Sequence, residues 1–356
     1  MGKGGISRKL LDLANAIIGW VKGGLAMVTI LTTMFFSTIS GFGPATVGAI
    51  GSFMIPEMKK NKYGSCFGAA VTPSSLGVII PPGIPFILYG VVAEVSIGDL
   101  FIAGVIPGIL IGVLLMVTSY FVLRNNPDIP VQPRQPISTV FKMVYEAKWL
   151  LLAPVIVLGG IYLGFFTPTE ASVVAVVYPL IIGIFVHKNL GKKELYDSFT
   201  ETFKLLGATI YMVALSFTFA YILTIEKVPS AIVDFLLSIS DIKYVLLILI
   251  NIFLLIVGAF IDAVVSIVVL TPILLPIAMQ IGINPVHFGV IMIVNLAIGY
   301  VTPPFGANLF IASAISKESI ESIFKSSIPF LITVLICLAL LEIFTSFSLF
   351  LPSLMR

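Results

Sequence analysis

Residues 40–85 read SGFGPATVGAIGSFMIPEMKKNKYGSCFGAAVTPSSLGVIIPPGIP, an apolar stretch that is interrupted twice by residues that break helices. The first break is Ser-Gly-Phe-Gly-Pro at 40–44, and the second is Ile-Ile-Pro-Pro-Gly at 79–83. Inside a bilayer every backbone N–H and C=O needs a hydrogen-bond partner, so irregular backbone is tolerated only where protein or a water-filled cavity covers it. The two breaks therefore indicate a covered site rather than a simple membrane span.

A second stretch, residues 262–308, carries the same landmarks in the same order. The matching features are Pro56 with Pro276, Phe67-Gly68 with Phe288-Gly289, Pro81-Pro82 with Pro303-Pro304, and Pro107 with Pro329. Two unrelated kinked helices are the alternative, but four landmarks in one order at matching spacings predict an internal repeat. Secondary transporters bind substrate and coupling ions at paired helix breaks of this kind.

The composition places the chain in a membrane. Hydrophobic residues make up 58% of the sequence and charged residues only 10%, and the mean hydropathy is +1.14. Soluble domains carry about a quarter charged residues, so this chain cannot cover a water-facing surface. The two cysteines, Cys66 and Cys337, lie in apolar segments and indicate no disulfide framework.

The apolar segments predict an all-α polytopic membrane protein with two repeats, each a re-entrant hairpin followed by a Pro-Pro-broken helix. Residues 25–39 are too short to span alone, which takes about 20 residues, so they form a hairpin with 45–56 whose tip lies at 40–44. The second tip lies at 258–262.

The predicted divisions are an interfacial amphipathic arm at 1–24, a first transport-domain repeat at 25–98, scaffold helices and arms at 99–243, a second repeat at 244–316, and a C-terminal spanning helix at 317–356. The predicted spans are 100–123, 149–166, 171–186, 205–223 and 328–351, with amphipathic segments at 6–20, 138–148 and 192–205 and an interfacial one at 228–240.

The basic residues predict the orientation. If the base of the first hairpin, at 59–62, is cytoplasmic, all but three of the 20 Lys and Arg fall inside, as the positive-inside rule requires. The exceptions are Lys227, Lys243 and Arg356. The base of the second hairpin, at 280–285, then lies outside, so the two repeats have inverted topology.

The repeats are unequal at their starts. Three predicted spans precede the second hairpin, at 149–166, 171–186 and 205–223, and none precedes the first. We therefore expect this fold to lack helices at its N-terminus.

Five motifs resemble the large membrane subunit, the DctM-type or M subunit, of tripartite ATP-independent periplasmic (TRAP) transporters. They are GGISRKLLDLA at 4–14, SGFGPATVGAIGSFMIPEMKK at 40–60, IIPPGIPFILYGVVAEVSIGDLFIAGVIPG at 79–108, FTPTEA at 166–171, and PVHFGVIMIVNLAIGYVTPPFGANLF at 285–310. The resemblance covers nearly the whole chain, and members of this family usually carry about two further helices before GGIS. Phe42 and Pro44 depart from the family pattern at the first tip.

The resemblance implies a sodium-driven elevator importer of organic acids such as C4-dicarboxylates, sialic acid or related carboxylates. The partners it implies are a small four-helix Q-type subunit, a periplasmic substrate-binding protein and the lipid bilayer, with no nucleic acid. The implied location is the cytoplasmic (inner) membrane of a bacterium or archaeon. A self-sufficient sodium- or proton-coupled carboxylate carrier without a binding protein is the alternative within transport.

Sodium takes oxygen ligands, which unwound backbone and helix C-terminal ends supply as carbonyls. Guided by the resemblance, we predict one sodium at the first tip, held by Thr38, Ser40 and the backbone of Gly77, Ile80 and Pro82. Packing of small residues between helices is the alternative role for Ser40 and Gly77.

A second sodium is predicted among Gly258, Asp262 and Thr302. An acidic side chain in an apolar run is costly, by roughly 2.5–3.5 kcal/mol on insertion scales, and by default indicates function. Asp262 is also a good N-cap for the helix that follows, and the two roles are compatible.

The predicted substrate contacts are Gly43, Ser74, Ser75 and Asn308, which flank the two breaks. Glu170, in the Thr-Pro-Thr-Glu turn, is either functional or a cap of the following helix. We predict that Asn295 joins helices rather than binding a ligand. His187 and His287 fall on opposite faces in this topology, so no metal pair is predicted.

Other classes of function are disfavoured. The sequence has no Gly-x4-Gly-Lys-Ser/Thr or His-Glu-x-x-His motif and no pair of membrane aspartates of the protease type. A purely structural subunit would have no use for two costly helix breaks. We therefore predict a transporter and not an enzyme.

Overall fold

The computed structural model describes residues 6–61, 63, 68–126, 129, 133–186, 190–227, 231 and 242–355. Within these residues every regular element is helical. Five helices are long and apolar enough to cross a membrane, or up to seven spans if each of two bent helix pairs crosses as one. The predicted all-α polytopic membrane protein is confirmed.

The first hairpin forms where glycine and proline end one helix and start the next. α1 (Ile6–Ile18) packs on α2 (Gly24–Ser40), which ends at Gly41 in the left-handed conformation (φ +63°) that glycine adopts without strain. Pro44 then lies in the first turn of α3 (Gly43–Thr46), where a backbone N–H would have no partner within the helix, so its absence costs no hydrogen bond. The chain returns along α2 through a π-helical segment (Val47–Gly51) and α4 (Ser52–Lys60).

The first broken helix has two breaks instead of the single predicted one. It begins with α5 (Gly68–Val71), tightens to a 3₁₀ turn (Thr72–Ser75), continues as α6 (Leu76–Ile79), and resumes after the prolines as α7 (Ile84–Val92). The 3₁₀ turn forms at Thr-Pro-Ser-Ser, because Pro73 removes a helical N–H and the hydroxyls bond nearby carbonyls. Phe67 lies outside the described residues.

Four long helices follow: α8 (Ile97–Leu123), α9 (Ile137–Tyr162), α10 (Pro168–Ile181), which continues as a π-helical segment (Ile182–Val186), and α11 (Lys192–Ile225). α11 joins the amphipathic piece at 192–205 to the span that follows it, where the sequence predicted two elements. α9 bends by 58° between Trp149 and Leu151, close to the predicted boundary. The predicted interfacial segment at 228–240 lies outside the described residues except for Ala231.

The second repeat follows the plan of the first. Its elements are α12 (Lys243–Phe260), α13 (Ala263–Gln280), α14 (Pro285–Gly299) and α15 (Ala307–Ser316). Then come α16 (Ile320–Ile343) and α17 (Ser346–Leu354). The single span predicted at 328–351 is wrong: the helix starts earlier, capped by Ser319, and is interrupted at Phe344–Thr345.

The two repeats interlock around α14, which is buried along its length from Val286 to Gly299. α14 packs against α6, α7 and α8 of the first half and against α12, α13 and α16 of the second. Each repeat also holds the hairpin base of the other. Tyr89 donates a hydrogen bond to the Pro285 carbonyl (2.7 Å), and Lys59 pairs with Glu318 (2.8 Å).

Candidate functional site

The first hairpin tip is tied directly to the first Pro-Pro break. The Gly41 carbonyl accepts a hydrogen bond from the Ile84 amide (3.2 Å). A Cβ on Gly41 would lie 2.7 Å from the Pro82 carbonyl oxygen, so a side chain at this position would clash with the backbone. The structure therefore brings together the tip and Pro82, as predicted.

Several oxygens converge just inside this tip. The Phe42 carbonyl oxygen accepts hydrogen bonds from the hydroxyls of Ser40 (3.2 Å) and Thr46 (2.9 Å), and these two hydroxyls also contact each other (3.2 Å). A Cβ on Gly77 would lie 2.6 Å from Thr46 Oγ1 and 3.1 Å from the Phe42 carbonyl oxygen. Gly77 therefore allows α6 to approach a cluster of three oxygens.

Two predicted residues of this group have other recorded contacts. The Thr38 hydroxyl donates to the Phe35 carbonyl of its own helix (2.7 Å). Ile80 packs on α8, where its side chain lies 2.6 Å from the place that a Cβ on Gly108 would take. Ser40 and Gly77 thus share the oxygen cluster, and the recorded contacts of Thr38 and Ile80 lie elsewhere.

At the second tip, Asp262 fills the N-cap position of α13. Its Oδ1 accepts from the Val264 amide (2.9 Å), and its Oδ2 accepts from the Tyr300 hydroxyl at a long 3.5 Å. The cap predicted for Asp262 is therefore present, and it leaves the carboxylate half-buried beside α14.

The second tip is also tied to its own Pro-Pro break. The Ala259 carbonyl accepts from the Phe305 amide (3.0 Å), which matches the contact between Gly41 and Ile84 in the first repeat. A Cβ on Gly299 would lie 2.1 Å from the Gly258 carbonyl oxygen, whereas a Cβ on Gly258 would lie at an ordinary 3.4 Å from its nearest neighbour. The close approach therefore depends on Gly299 more than on the predicted Gly258.

Thr302, the third predicted residue of the second group, lies in the break between α14 and α15. Its hydroxyl donates to the Ile298 carbonyl (2.9 Å), and its own carbonyl accepts from the Gly306 amide (3.1 Å). Its recorded hydrogen bonds therefore tie the last turn of α14 to the unwound segment.

Asn308 joins the two tips. The backbone N–H of Asn308 donates to the Tyr300 carbonyl (3.0 Å). The Tyr300 hydroxyl in turn donates to Asp262. A Cβ on Gly43 would lie 3.5 Å from Asn308 Oδ1, 3.6 Å from Asn308 Nδ2 and 3.4 Å from the Ser74 carbonyl oxygen. The Asn308 side chain is fully buried, and among the described residues neither of its polar atoms has a hydrogen-bond partner.

Of the predicted substrate contacts, Gly43, Ser74 and Asn308 thus meet at one place. The Ser74 and Ser75 hydroxyls bond to carbonyls of their own segment, those of Ala70 (2.9 Å) and Thr72 (2.7 Å). Ser75 is buried, and its recorded contact lies within the 3₁₀ turn. The side-chain amide of Asn308, which has no hydrogen-bond partner among the described residues, is the group most suited to bind a ligand.

Four helices begin around these tips: α3 at Gly43, α7 at Ile84, α13 at Ala263 and α15 at Ala307. Helix N-termini carry partial positive charge and unpaired N–H groups, so they favour anions. The sequence contains no Lys or Arg between Lys62 and Arg124 or between Lys243 and Lys317. An anion at this site would be met by helix ends and an amide rather than by a basic side chain.

Two residues that the sequence left open have structural partners. Glu170 forms a capping box with Thr167, accepting from its amide (2.8 Å) and its hydroxyl (2.9 Å) while Thr167 Oγ1 accepts from the Glu170 amide (3.3 Å). Asn295 donates to the side chain (2.6 Å) and the carbonyl (3.2 Å) of Asn251 and so joins α14 to α12. His187 lies outside the described residues.

Sequence reasoning missed Thr46, the Phe42 carbonyl, Tyr300 and Gly299. Thr46 lies six residues after Ser40, one and a half turns away, and only the bend at Gly41 brings the two hydroxyls together. Gly299 had a signal, since it lies directly before the second break and small residues mark close helix contacts in membranes.

The sequence profile of the family described as "Tripartite ATP-independent periplasmic transporter, DctM component" matches residues 1–347. The chain is 47% identical to the isethionate TRAP transporter permease protein DctMQ of Oleidesulfovibrio alaskensis, over 92% of this chain and 52% of that protein. It is 40% identical to the C4-dicarboxylate TRAP transporter large permease protein DctM of Pseudomonas aeruginosa, over 99% of this chain and 83% of that protein.

A further relative is the sialic acid TRAP transporter large permease protein SiaM of Vibrio cholerae, with 38% identity over 99% of this chain and 83% of that protein. The chain spans about half the length of the isethionate permease and about four-fifths of the other two. It therefore belongs to the DctM family of TRAP transporter permeases, membrane proteins that are not enzymes.

Proposed function

We propose that this chain is the large permease subunit of a sodium-coupled importer of small organic acids. Its relatives are named for isethionate, C4-dicarboxylates and sialic acid, all of which carry an acidic group. The substrate would then be a small carboxylate or sulfonate anion, held at the junction of the two hairpin tips.

The observation that carries this proposal is the side chain of Asn308. A fully buried amide without a partner costs about 1–3 kcal/mol, so such groups call for an explanation. A bound anion supplies one, because Asn308 Nδ2 would donate to the substrate between Gly43 and Ser74. The N-termini of α3 and α15 would add N–H groups and positive dipole ends around the same anion.

Sodium binding is proposed at both tips. At the first, Ser40, Thr46 and the Phe42 carbonyl offer three oxygens within 3.2 Å of one another. Gly77 lies against them, and the Pro82 carbonyl lies against Gly41. At the second, the Asp262 carboxylate would meet the cation, with the carbonyls of Gly258 and Thr302 near the unwound segment. Each ion would add positive charge beside the anion, which explains how coupling could arise without a basic side chain.

The mechanism we propose is elevator motion of the two interlocked repeats. The repeats at 25–98 and 244–316 would move as one body because α14 packs against both. Within the segment at 99–243, α8 packs on α14 and α2 and would move with the repeats. The other scaffold helices of this segment would stay fixed, braced by the arm at 1–24. The location would be the cytoplasmic membrane of a bacterium or archaeon, with the base of the first hairpin cytoplasmic and the second repeat inverted.

The partners we propose are a small four-helix membrane subunit and a periplasmic substrate-binding protein. The experiment that tests the whole function is uptake into proteoliposomes that contain this chain together with any small four-helix subunit from its genomic neighbourhood. Labelled succinate, sialic acid and isethionate are offered with and without the binding protein, and with and without an inward sodium gradient.

Uptake of one acid that requires both sodium and the binding protein is the expected result. Undiminished uptake without the binding protein would replace the proposal with a self-sufficient carrier. Uptake that follows a proton gradient and ignores sodium would overturn the sodium coupling.

A further inference from the structure

A polar cavity lies at the base of the second hairpin, at the ends of α12 and α14 that are remote from the two tips. Its volume is about 280 Å³, and it opens between the first turn of α12, the loop before α14 and the junction of α16 with α17. This is near the lower end of the range for small-molecule pockets, about 300–1,000 Å³, and suits a compact ligand.

Two opposite charges, Lys243 and Glu342, line this cavity. Among the described residues no ion pair joins Lys243 to Glu342. Glu342 is held in place at one oxygen, since its Oε1 accepts a short hydrogen bond from Asn251. A fixed carboxylate and a separate ammonium in one cavity fit a ligand that carries both charges.

His287 adds a third polar group. It lines the cavity, its side chain is only 2% exposed, and its Nδ1 has no hydrogen-bond partner among the described residues. A buried polar atom without a partner is rare and calls for a ligand or water. An N–H at Nδ1 would complement Lys243 in binding an anionic group.

The surroundings are those of a membrane interface. Lys243 begins the apolar helix α12 and Glu342 ends α16, both long enough to span a bilayer. A neighbouring cavity of about 290 Å³ shares Asn284 and Leu349 with the first and continues beneath α17. α17 exposes Phe350 and Leu354, and such apolar residues suit the headgroup boundary of the bilayer.

We propose that this cavity binds a phosphoethanolamine group, a compact zwitterion with a phosphate and a primary ammonium. The phosphate would lie against Lys243 and His287, and the ammonium would donate to Glu342. A choline group would lack the N–H bonds to Glu342, and a glycerol group would lack the positive charge. The group can come from phosphatidylethanolamine, with its acyl chains along α17, or from free phosphoethanolamine.

The test is lipid retention on the intact chain, purified with its membrane partner and analysed by native mass spectrometry. The protein is offered equal amounts of phosphatidylethanolamine, phosphatidylcholine and phosphatidylglycerol. The wild type is expected to retain phosphatidylethanolamine about tenfold more strongly than either competitor, the effect of one hydrogen bond to a charged group. This comparison needs no variant.

Two variants separate the charges. Glu342→Gln should remove the preference over phosphatidylglycerol, because only the ammonium contact is weakened. Lys243→Gln should weaken both phosphatidylethanolamine and phosphatidylglycerol by about tenfold. Glu321→Gln and Lys325→Gln, exposed positions near the other end of α16, are the matched controls and should behave as wild type.

The source of the group is tested by adding free phosphoethanolamine to protein in nanodiscs without phosphatidylethanolamine. Binding that Glu342→Gln abolishes would assign the free zwitterion as a ligand as well, and no such binding would leave the lipid as the source. Equal retention of all three lipids by the wild type, a preference over phosphatidylglycerol that survives Glu342→Gln, or retention that Lys243→Gln leaves unchanged would overturn the proposal.

Discussion

The two hairpin tips share one backbone plan but carry different chemistry. In each, a carbonyl at the end of the hairpin's first helix accepts a hydrogen bond from an amide just after the Pro-Pro pair, Gly41 from Ile84 and Ala259 from Phe305. The first tip offers only neutral oxygens, from Ser40, Phe42 and Thr46. The second offers a carboxylate, Asp262.

The two repeats therefore share the backbone geometry of their breaks but differ in the ligand groups that their side chains offer. Backbone contacts of the breaks recur because every buried N–H and C=O must be paired in a membrane. Side chains at equivalent places are free to diverge. Two cation sites of unequal charge would therefore flank one anion, and the predictions below test how unequal they are.

The largest effect is expected from glycines at the closest approaches. Gly77→Ala and Gly299→Ala would each place a Cβ within 2.6 Å of an oxygen, whereas Gly258→Ala would keep 3.4 Å. We expect the first two to lower stability by about 1–3 kcal/mol through overpacking and to abolish uptake, and Gly258→Ala to resemble the wild type. Thermal unfolding in detergent and uptake measure this, and a Gly258→Ala variant as damaged as Gly77→Ala would contradict it.

The next largest effect is expected at the charged tip. Asp262→Asn keeps the helix cap, since Asn caps as well as Asp, but removes the negative charge. We expect the half-saturation concentration of sodium to rise about tenfold, the effect of one charge-assisted contact, with little change in thermal stability. Sodium titration of uptake checks this, and an unchanged half-saturation would remove Asp262 from the cation site.

At the neutral tip the effect should be smaller. Thr46→Val deletes a hydroxyl that bonds to both Ser40 and the Phe42 carbonyl, and a neutral hydrogen bond contributes about 1 kcal/mol, or roughly fivefold in affinity. Thr38→Val is the matched control, because its hydroxyl bonds only within α2. Sodium affinity that falls equally in the two variants would place the cation elsewhere.

The smallest effect is expected at Tyr300. Its hydroxyl reaches Asp262 at 3.5 Å, the outer limit of a hydrogen bond. Tyr300→Phe should therefore change the half-saturation concentration of sodium by only about twofold. Such a change corresponds to about 0.5 kcal/mol, the lower limit for the net contribution of a hydrogen bond. A change as large as that of Asp262→Asn would show that the hydroxyl is itself a ligand.

Much of the fold could be predicted from the sequence because helix breaks in apolar runs are conspicuous. Gly41, the two Pro-Pro pairs and Asp262 all lie where the chain turns. The prediction of the last span was wrong because Phe344–Thr345 interrupts the helix within a segment that is continuously apolar. α11 was split in two because a change in amphipathicity resembles a boundary, although the helix continues through it. The division predicted within α9 coincides with its 58° bend.

The site could be predicted only in part. Residues next to the breaks, such as Ser40 and Asn308, follow from position along the chain. Thr46, Gly299 and Tyr300 depend on how separate helices approach one another, which periodicity does not show. The unpaired state of the Asn308 amide could not be predicted at all, because it depends on what every neighbouring element leaves unbonded.

The central claim is that Asn308 serves a ligand and not the fold, and one paired measurement tests it. Asn308→Ala and Asn295→Ala each remove a fully buried amide, but only Asn295 bonds to a neighbouring helix. We predict that Asn295→Ala lowers the free energy of unfolding by about 1–3 kcal/mol, since it leaves the buried side-chain oxygen of Asn251 without its donor. Asn308→Ala should not lower stability, because the amide that it removes has no partner among the described residues, while uptake of the labelled acid is lost. An Asn308→Ala variant that transports with the wild-type half-saturation for substrate would contradict the account.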